Sequence, residues 1–194
     1  MEKTQIVPDV QLLLENLGEL PEPVAKPVLV VISGLPGTGK SYFSRQLAEK
    51  VSFLILESDA LRKILFSPPS YSSQESSQLF RAIHLLLIEL LKKGIPLILD
   101  ATNLSERFRK HLYAIVDHLD VRLVLVRVEA PPDVVYQRLE SRIGDSESKS
   151  DADWSVYHRM MSSVDKIQRN HYVVDTSRDI NPVINKIVKE VTRR

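Results

Sequence analysis

The sequence predicts an α/β fold in three layers, a five-stranded parallel sheet with helices on both faces. Three observations carry this reading. Five short apolar runs are separated by stretches with the 3.6-residue periodicity of amphipathic helices, and strands that alternate with helices pair in parallel because each return needs a crossover. The runs are continuously apolar, as strands buried on both faces require. At 194 residues, 43% apolar and 26% charged, the chain suits one domain with one core.

The first element expected is a helix from Val10 to Leu20, with Val10, Leu13, Leu14 and Leu17 on one face, Asp9 as its N-cap and Gly18 as its stop. Prolines 21, 23 and 27 then make a stiff connector. Residues 1–27 are therefore expected to form an arm and connector, and residues 28–194 the main domain. The arm's apolar face either packs on that domain or serves as a dimer contact or removable lid. Val28–Ser33 reads as the first strand, Gly39–Val51 as a helix, Phe53–Leu56 as the second strand and Asp59–Phe66 as a short helix. After a Pro/Ser loop, Gln74–Lys93 is a long buried helix stopped by Gly94. Ile95–Leu99 and Val121–Val128 are strands, joined by a helix that Ser105 can cap. Pro132 opens a helix to Arg142, as the first helical position permits. Beyond the polar stretch Gly144–Ser150, Ser150 and Asp153 form a capping-box pattern for a helix to about Gln168. Tyr172–Val174 is the fifth strand and Pro182–Val191 the closing helix.

Composition excludes several classes. Lys and Arg number 26 against 25 acids, so the net charge of +1 supplies no global field for a polyanion, and any basic site must be local. There is no cysteine, which excludes a disulfide framework and thiolate chemistry. The most apolar stretch, Ala82–Leu91, is about ten residues long against the ~20 that span a bilayer. Met1–Asp9 lacks a secretory pattern. The expected setting is cytoplasmic, with no membrane partner.

The decisive motif is Gly34-Leu35-Pro36-Gly37-Thr38-Gly39-Lys40-Ser41, a full match to G-x-x-x-x-G-K-[ST] placed directly after a strand and opening a helix. The glycines let backbone N–H groups turn inward around a phosphate chain, and the helix N-terminus adds a positive dipole end. In such a P-loop Lys40 reaches the β- and γ-phosphates of ATP and the Ser41 hydroxyl ligates Mg²⁺. Gly34 to Tyr42 is accordingly the expected nucleotide-binding stretch. Leu97-Ile98-Leu99-Asp100 is an apolar strand ending in a carboxylate; ligands of open parallel sheets bind beyond the strands' carboxyl ends, so Asp100 is the second expected Mg²⁺ residue, unless it only caps the strand.

The segments GLPGTGKS, SDALR and LILDATNLSERFRK, followed by RLESR and SDADW, resemble the AAA_33-type P-loop kinases, a family that includes polynucleotide kinase domains, with zeta toxins and gluconate or shikimate kinases as more distant relatives. The resemblance covers about Val28 to Val191. It implies transfer of the γ-phosphoryl group of ATP to a hydroxyl, with Asp59 as general base and Arg62, one turn later, binding an anionic group of the acceptor. The alternative for Asp59 is a helix cap. The resemblance further implies that Arg138 and Arg142 act as lid arginines over the phosphates, in a lid at about 138–155, although both also suit a solvated helix face. It gives Asn103 a role in placing substrate or a metal-bound water, and sets Ser177, after the last strand, beside the adenine. Arg107, Arg109 and Lys110, with Arg62 and Lys63, form either a local basic patch near the acceptor or an exposed helix face. The five histidines, and Trp154 with Tyr157, Met160 and Met161, are expected to be non-catalytic. A small hydroxyl-bearing molecule is the favoured acceptor. A polynucleotide 5′-hydroxyl and an ATP-driven switch without transfer are the alternatives, and an oligomer would form through the arm.

Overall fold

The computed structural model describes residues 7–141 and 152–193. Their elements run in the order α1 (Pro8–Glu15), β1 (Val28–Ser33), α2 (Lys40–Ala48), β2 (Leu54–Glu57), α3 (Ser58–Leu65), α4 (Ser73–Lys92), β3 (Leu97–Asp100), α5 (Glu106–Leu119), β4 (Arg122–Glu129), α6 (Pro132–Glu140), α7 (Trp154–Met161), β5 (Tyr172–Asp175) and α8 (Asn181–Thr192). The five strands form one parallel sheet in the order β2-β3-β1-β4-β5. This is the expected three-layer architecture.

The alternation of side chains along β1 divides the core. Leu29 and Val31 face a cluster with Leu61 of α3, the leucines of α4, and Leu112 and Val116 of α5, whereas Val28, Val30 and Ile32 face Phe43 and Leu47 of α2 with Ile184 and Ile187 of α8. Every residue of β1 is buried. None of the described helices is long and apolar enough to cross a membrane.

The N-terminal helix belongs to the first of these clusters: Val10 and Leu13 are fully buried against α3 and α4. The arm's apolar face is thus spent on its own domain. Its ends differ from expectation. Pro8 occupies the first helical position after Val7, and Asp9, instead of capping, accepts a hydrogen bond from Gln78 of α4 at 2.9 Å. The helix stops at Glu15, before Gly18. The connector is tied down where Val24 N donates to Gly94 O at 2.8 Å, and Gly94 itself sits at φ 81°, the left-handed stop expected after α4.

Other boundaries shift for identifiable reasons. Ser105 precedes α5, but its side chain makes no capping bond; the first N–H, of Glu106, is instead taken by the Asp165 carboxylate at 2.9 Å. Asp153 caps α7 itself by accepting from Val156 N, while its expected box partner Ser150 lies outside the described residues. Helix α7 ends at Met161, and residues up to β5 are irregular. Their backbone is fixed by long-range bonds that no local pattern announces.

Candidate active site

The glycine-rich loop leaves β1 at the centre of the sheet. A Cβ on Gly34 would lie 2.3 Å from the Val128 carbonyl of β4, so only glycine fits this close approach. Gly39, the N-cap of α2, has φ 89° and is packed against Thr176. The loop is braced from within by Thr38 Oγ1 donating to Leu35 O at 2.8 Å and from outside by Thr176 Oγ1 donating to Thr38 O at 2.6 Å. Lys40 Nζ donates to Leu35 O at 2.9 Å, which holds the ammonium over the loop. The first turn of α2, including Ser41 and the exposed Tyr42, presents backbone N–H groups that the helix does not itself use. Together with the dipole these make an anion cradle.

Beside the cradle, the carboxyl ends of β2 and β3 are in register, so that Glu57 is paired with Asp100 and Asp100 in turn with Ile32 of β1. Asp100 is 4% exposed, and its Oδ2 has no hydrogen-bond partner. Burial pushes its carboxyl up, Lys40 and a hydrogen bond from Ser41 pull it down, and Glu57 and Asp59 push it up again. A buried carboxylate oxygen without a partner, next to a serine hydroxyl and a further acid, is a hard oxygen donor set of the kind that suits Mg²⁺. These residues therefore fit that ion. The motif Leu54-Ile55-Leu56-Glu57 repeats Leu97-Ile98-Leu99-Asp100; this repeat is the signal that would have placed Glu57 in the site. The second strand ends one residue later than expected, and that shift brings Glu57 there.

Asp59 is half-buried in the first turn of α3. The residue before that helix is Glu57, with no side-chain cap, so the capping alternative for Asp59 is corrected. Arg62 also departs from expectation. It is 7% exposed, forms an ion pair with Glu75 of α4, donates to Ser76 Oγ at 3.3 Å and lies 4.9 Å over the Tyr71 ring, while its Nε is buried without a partner. It is built into the wall of the site and is not a free anion receptor. Glu75 also accepts from Ser70 N and Ser70 Oγ; burial pushes its carboxyl up, but the bonds from Ser70 and Arg62 outweigh that and bring it to about 2. Neither partner was legible from sequence, because α3 and α4 meet across a loop with no periodic pattern.

Asn103 is tied down as well. It is 6% exposed at φ 45°, and its amide donates to Ile32 O at 2.7 Å, so its N–H is committed to a brace between β1 and the loop after β3. Arg109, read as part of a basic patch, is 1% exposed. It pairs with Glu106 and donates to the carbonyls of Asn103, Leu104, Asp165 and Lys166. Arg138 reaches the loop's far side by donating to Thr176 Oγ1 at 2.7 Å and Thr176 O at 2.9 Å. Ser177 is exposed, with its hydroxyl held by Asp175 at 2.6 Å. Arg142 and most of the expected lid lie outside the described residues. A partly open pocket of about 380 Å³ is lined by Gly34, Leu35, Glu129 and Tyr157. Asp59, Asp100 and Arg62 are not among its lining residues.

A strand-loop-helix cradle at the centre of a β2-β3-β1-β4-β5 parallel sheet, with carboxylates at the neighbouring strand ends, defines the class as a P-loop nucleotide-binding fold. Residues 29–167 match AAA_33, an AAA domain family, and the chain belongs to it. It is also 28% identical over 116 residues to the L-seryl-tRNA(Sec) kinase of Methanococcus maripaludis, a match covering 57% of this chain and 44% of that protein. The chain thus spans less than half the length of this curated relative. Its fold is similar to that of Chaetomium thermophilum Kti12 in complex with ADP-AlF3, with a TM-score of 0.68 and 16% identity over 85% of this chain and 100% of that one. It is similar too to the Mycobacterium tuberculosis APS kinase in complex with AMPPNP and APS, with a TM-score of 0.65 and 16% identity over 87% and 98% of the two chains.

Proposed function

We propose that this protein is an ATP-dependent phosphotransferase with a hydroxyl acceptor, in which residues 28–194 hold the catalytic machinery and residues 1–27 brace it. The observation that carries the proposal is the buried Asp100 carboxylate, one oxygen of which has no partner, beside Ser41, Lys40, Glu57 and Asp59 at the end of the phosphate cradle. Such a site suits a cation-bound triphosphate on one side and an acid-activated hydroxyl on the other.

In this reading Gly34 to Tyr42 binds the triphosphate, Lys40 leaves the Leu35 carbonyl for the β- and γ-phosphates, and Ser41 with Asp100 holds Mg²⁺. The ion, when bound, offsets negative charge on the β- and γ-oxygens. Asp59 accepts the acceptor's proton as the hydroxyl oxygen bonds to the γ-phosphorus and the bond from that phosphorus to the β-bridging oxygen breaks, so ADP leaves. Arg138, anchored on Thr176, is assigned to the phosphates as a lid arginine, and Ser177 to the side of the adenine. Arg142 is assigned to the transferred group by family resemblance.

A free small molecule fits the neutral composition and the activity named for the APS kinase. An acceptor carried on nucleic acid is supported by the seryl-tRNA(Sec) kinase relative and by a surface described below. The catalytic reading is tested with Asp59→Asn, which keeps side-chain size. ATP affinity by calorimetry and thermal unfolding should match wild type, while transfer falls by ~10²–10⁴-fold. Wild-type transfer in this variant returns the role of base to Glu57.

A further inference from the structure

The near-zero net charge conceals a one-sided surface next to the acid cluster. The rings of Phe80 in α4 and Phe108 in α5 stack at 5.8 Å with 21° between their planes, and one turn further along both helices His84 and His111 lie 5.5 Å apart. The two helices therefore run side by side, and Arg81, Arg107 and Lys110 all fall within a turn of the stacked pair. All three cations are exposed, and among the described residues none has an ion-pair or hydrogen-bond partner. The stretches 73–84 and 105–114 contain one acid each, Glu75 and Glu106, and each is paired with a buried arginine. The Asp165 carboxylate, bound at the Glu106 N–H, is an acid that approaches from another element, which leaves the three cations in excess, while Phe108 stays 48% exposed.

The seam continues from the proposed site. Arg62, one turn after Asp59, touches Ser76, and Phe80 lies one turn beyond Ser76, roughly 6 Å along α4. We infer that the α4/α5 seam docks a single-stranded nucleic acid whose reacting hydroxyl lies over Asp59 and Asp100, with a base stacked against Phe108 and the neighbouring phosphates against Arg81, Arg107 and Lys110. The inference rests on the reading of the Asp59 side as the acceptor side. A single strand is specified because only an unpaired base offers its face to a ring, and cations interleaved with aromatics are the means by which such strands are held without duplex geometry. An anionic membrane would meet the same cations, but it would find one exposed ring where an interfacial helix needs a continuous apolar face.

The test uses the full chain and a 5′-hydroxyl RNA decamer labelled at its 3′ end, followed by fluorescence anisotropy between 50 and 200 mM salt. Wild type should bind with a log–log salt slope of roughly −2, as expected for three phosphate contacts on a single strand. The triple variant Arg81→Glu, Arg107→Glu, Lys110→Glu should lose that binding. Phe108→Ala should weaken it by roughly 5- to 100-fold. ATP affinity and thermal unfolding of both variants should match wild type, which separates docking from folding. Asp59→Asn should bind the decamer normally; unaltered phosphoryl transfer in that variant overturns the catalytic reading and leaves the docking surface standing. No decamer binding, binding indifferent to both surface variants, or preferential binding to phosphatidylserine vesicles overturns the docking inference.

Discussion

Single residues here pull stability and function in opposite directions. Asp100 sits in surroundings that favour its neutral form, since burial raises its carboxyl despite Lys40 and Ser41. For an acid raised in the folded state, the folded chain binds the extra proton, so stability falls as pH rises through its folded value. Asp100→Asn removes a buried carboxyl with an unpartnered oxygen and is expected to stabilise the metal-free protein by ~1 kcal/mol, or about 2–4 °C in Tm. The same variant should lose Mg²⁺-dependent turnover, and a lower Tm would show that the Lys40 interaction outweighs burial. His84 gives the converse sign. Burial, with His111 nearby, depresses it from 6.5 to about 4. Between those values the unfolded chain takes up a proton that the folded chain refuses, so stability should decline as pH falls through that window. His84 is half-buried, and solvent screening reduces the effect to ~1–2 kcal/mol. Urea titrations at pH 4.5 and 7 should show the loss, and His84→Leu should flatten it.

At the scale of elements, what was legible depended on whether the cause was local. The phosphate loop was readable because Gly34, Gly39, Lys40 and Ser41 have their roles at fixed offsets, and the five strands because burial on both faces leaves a continuous apolar run. The position of Asp100 at the end of β3 was readable from the apolar run before it. The partners of Arg62, Asn103 and Arg109 were not legible, because a charged or amide side chain looks alike in sequence whether it meets water or a carbonyl some fifty residues away. Arg109 is the clearest case, with acceptors at positions 103 and 104 and again at 165 and 166. Nothing in the sequence of α5 encodes that pairing. Arg109→Met should cost ~3–5 kcal/mol by stranding Glu106 and four carbonyls, measured by chemical denaturation. Arg109→Lys should recover little, because a single ammonium cannot span a forked set of acceptors; full recovery would refute the brace.

Across the whole molecule, the family match begins at residue 29, but the core begins earlier, with Val10 and Leu13 of α1. Leu13→Ala is therefore expected to destabilise the entire domain by ~2–5 kcal/mol in one cooperative transition, as for any fully buried leucine. A separate early transition for α1 would mark it as an appendage. The Arg109 brace has a consequence of another kind, which is mechanical. Its guanidinium joins the segment returning from α7 to the Asn103 loop, and Asn103 is joined to the Ile32 carbonyl, one step before the phosphate loop. These bonds make one continuous tie from residues 165–166 through the Asn103 loop to the end of β1, like a rod under the glycine-rich loop. A load applied at residues 165–166 is therefore expected to be carried to the strand that enters the glycine-rich loop.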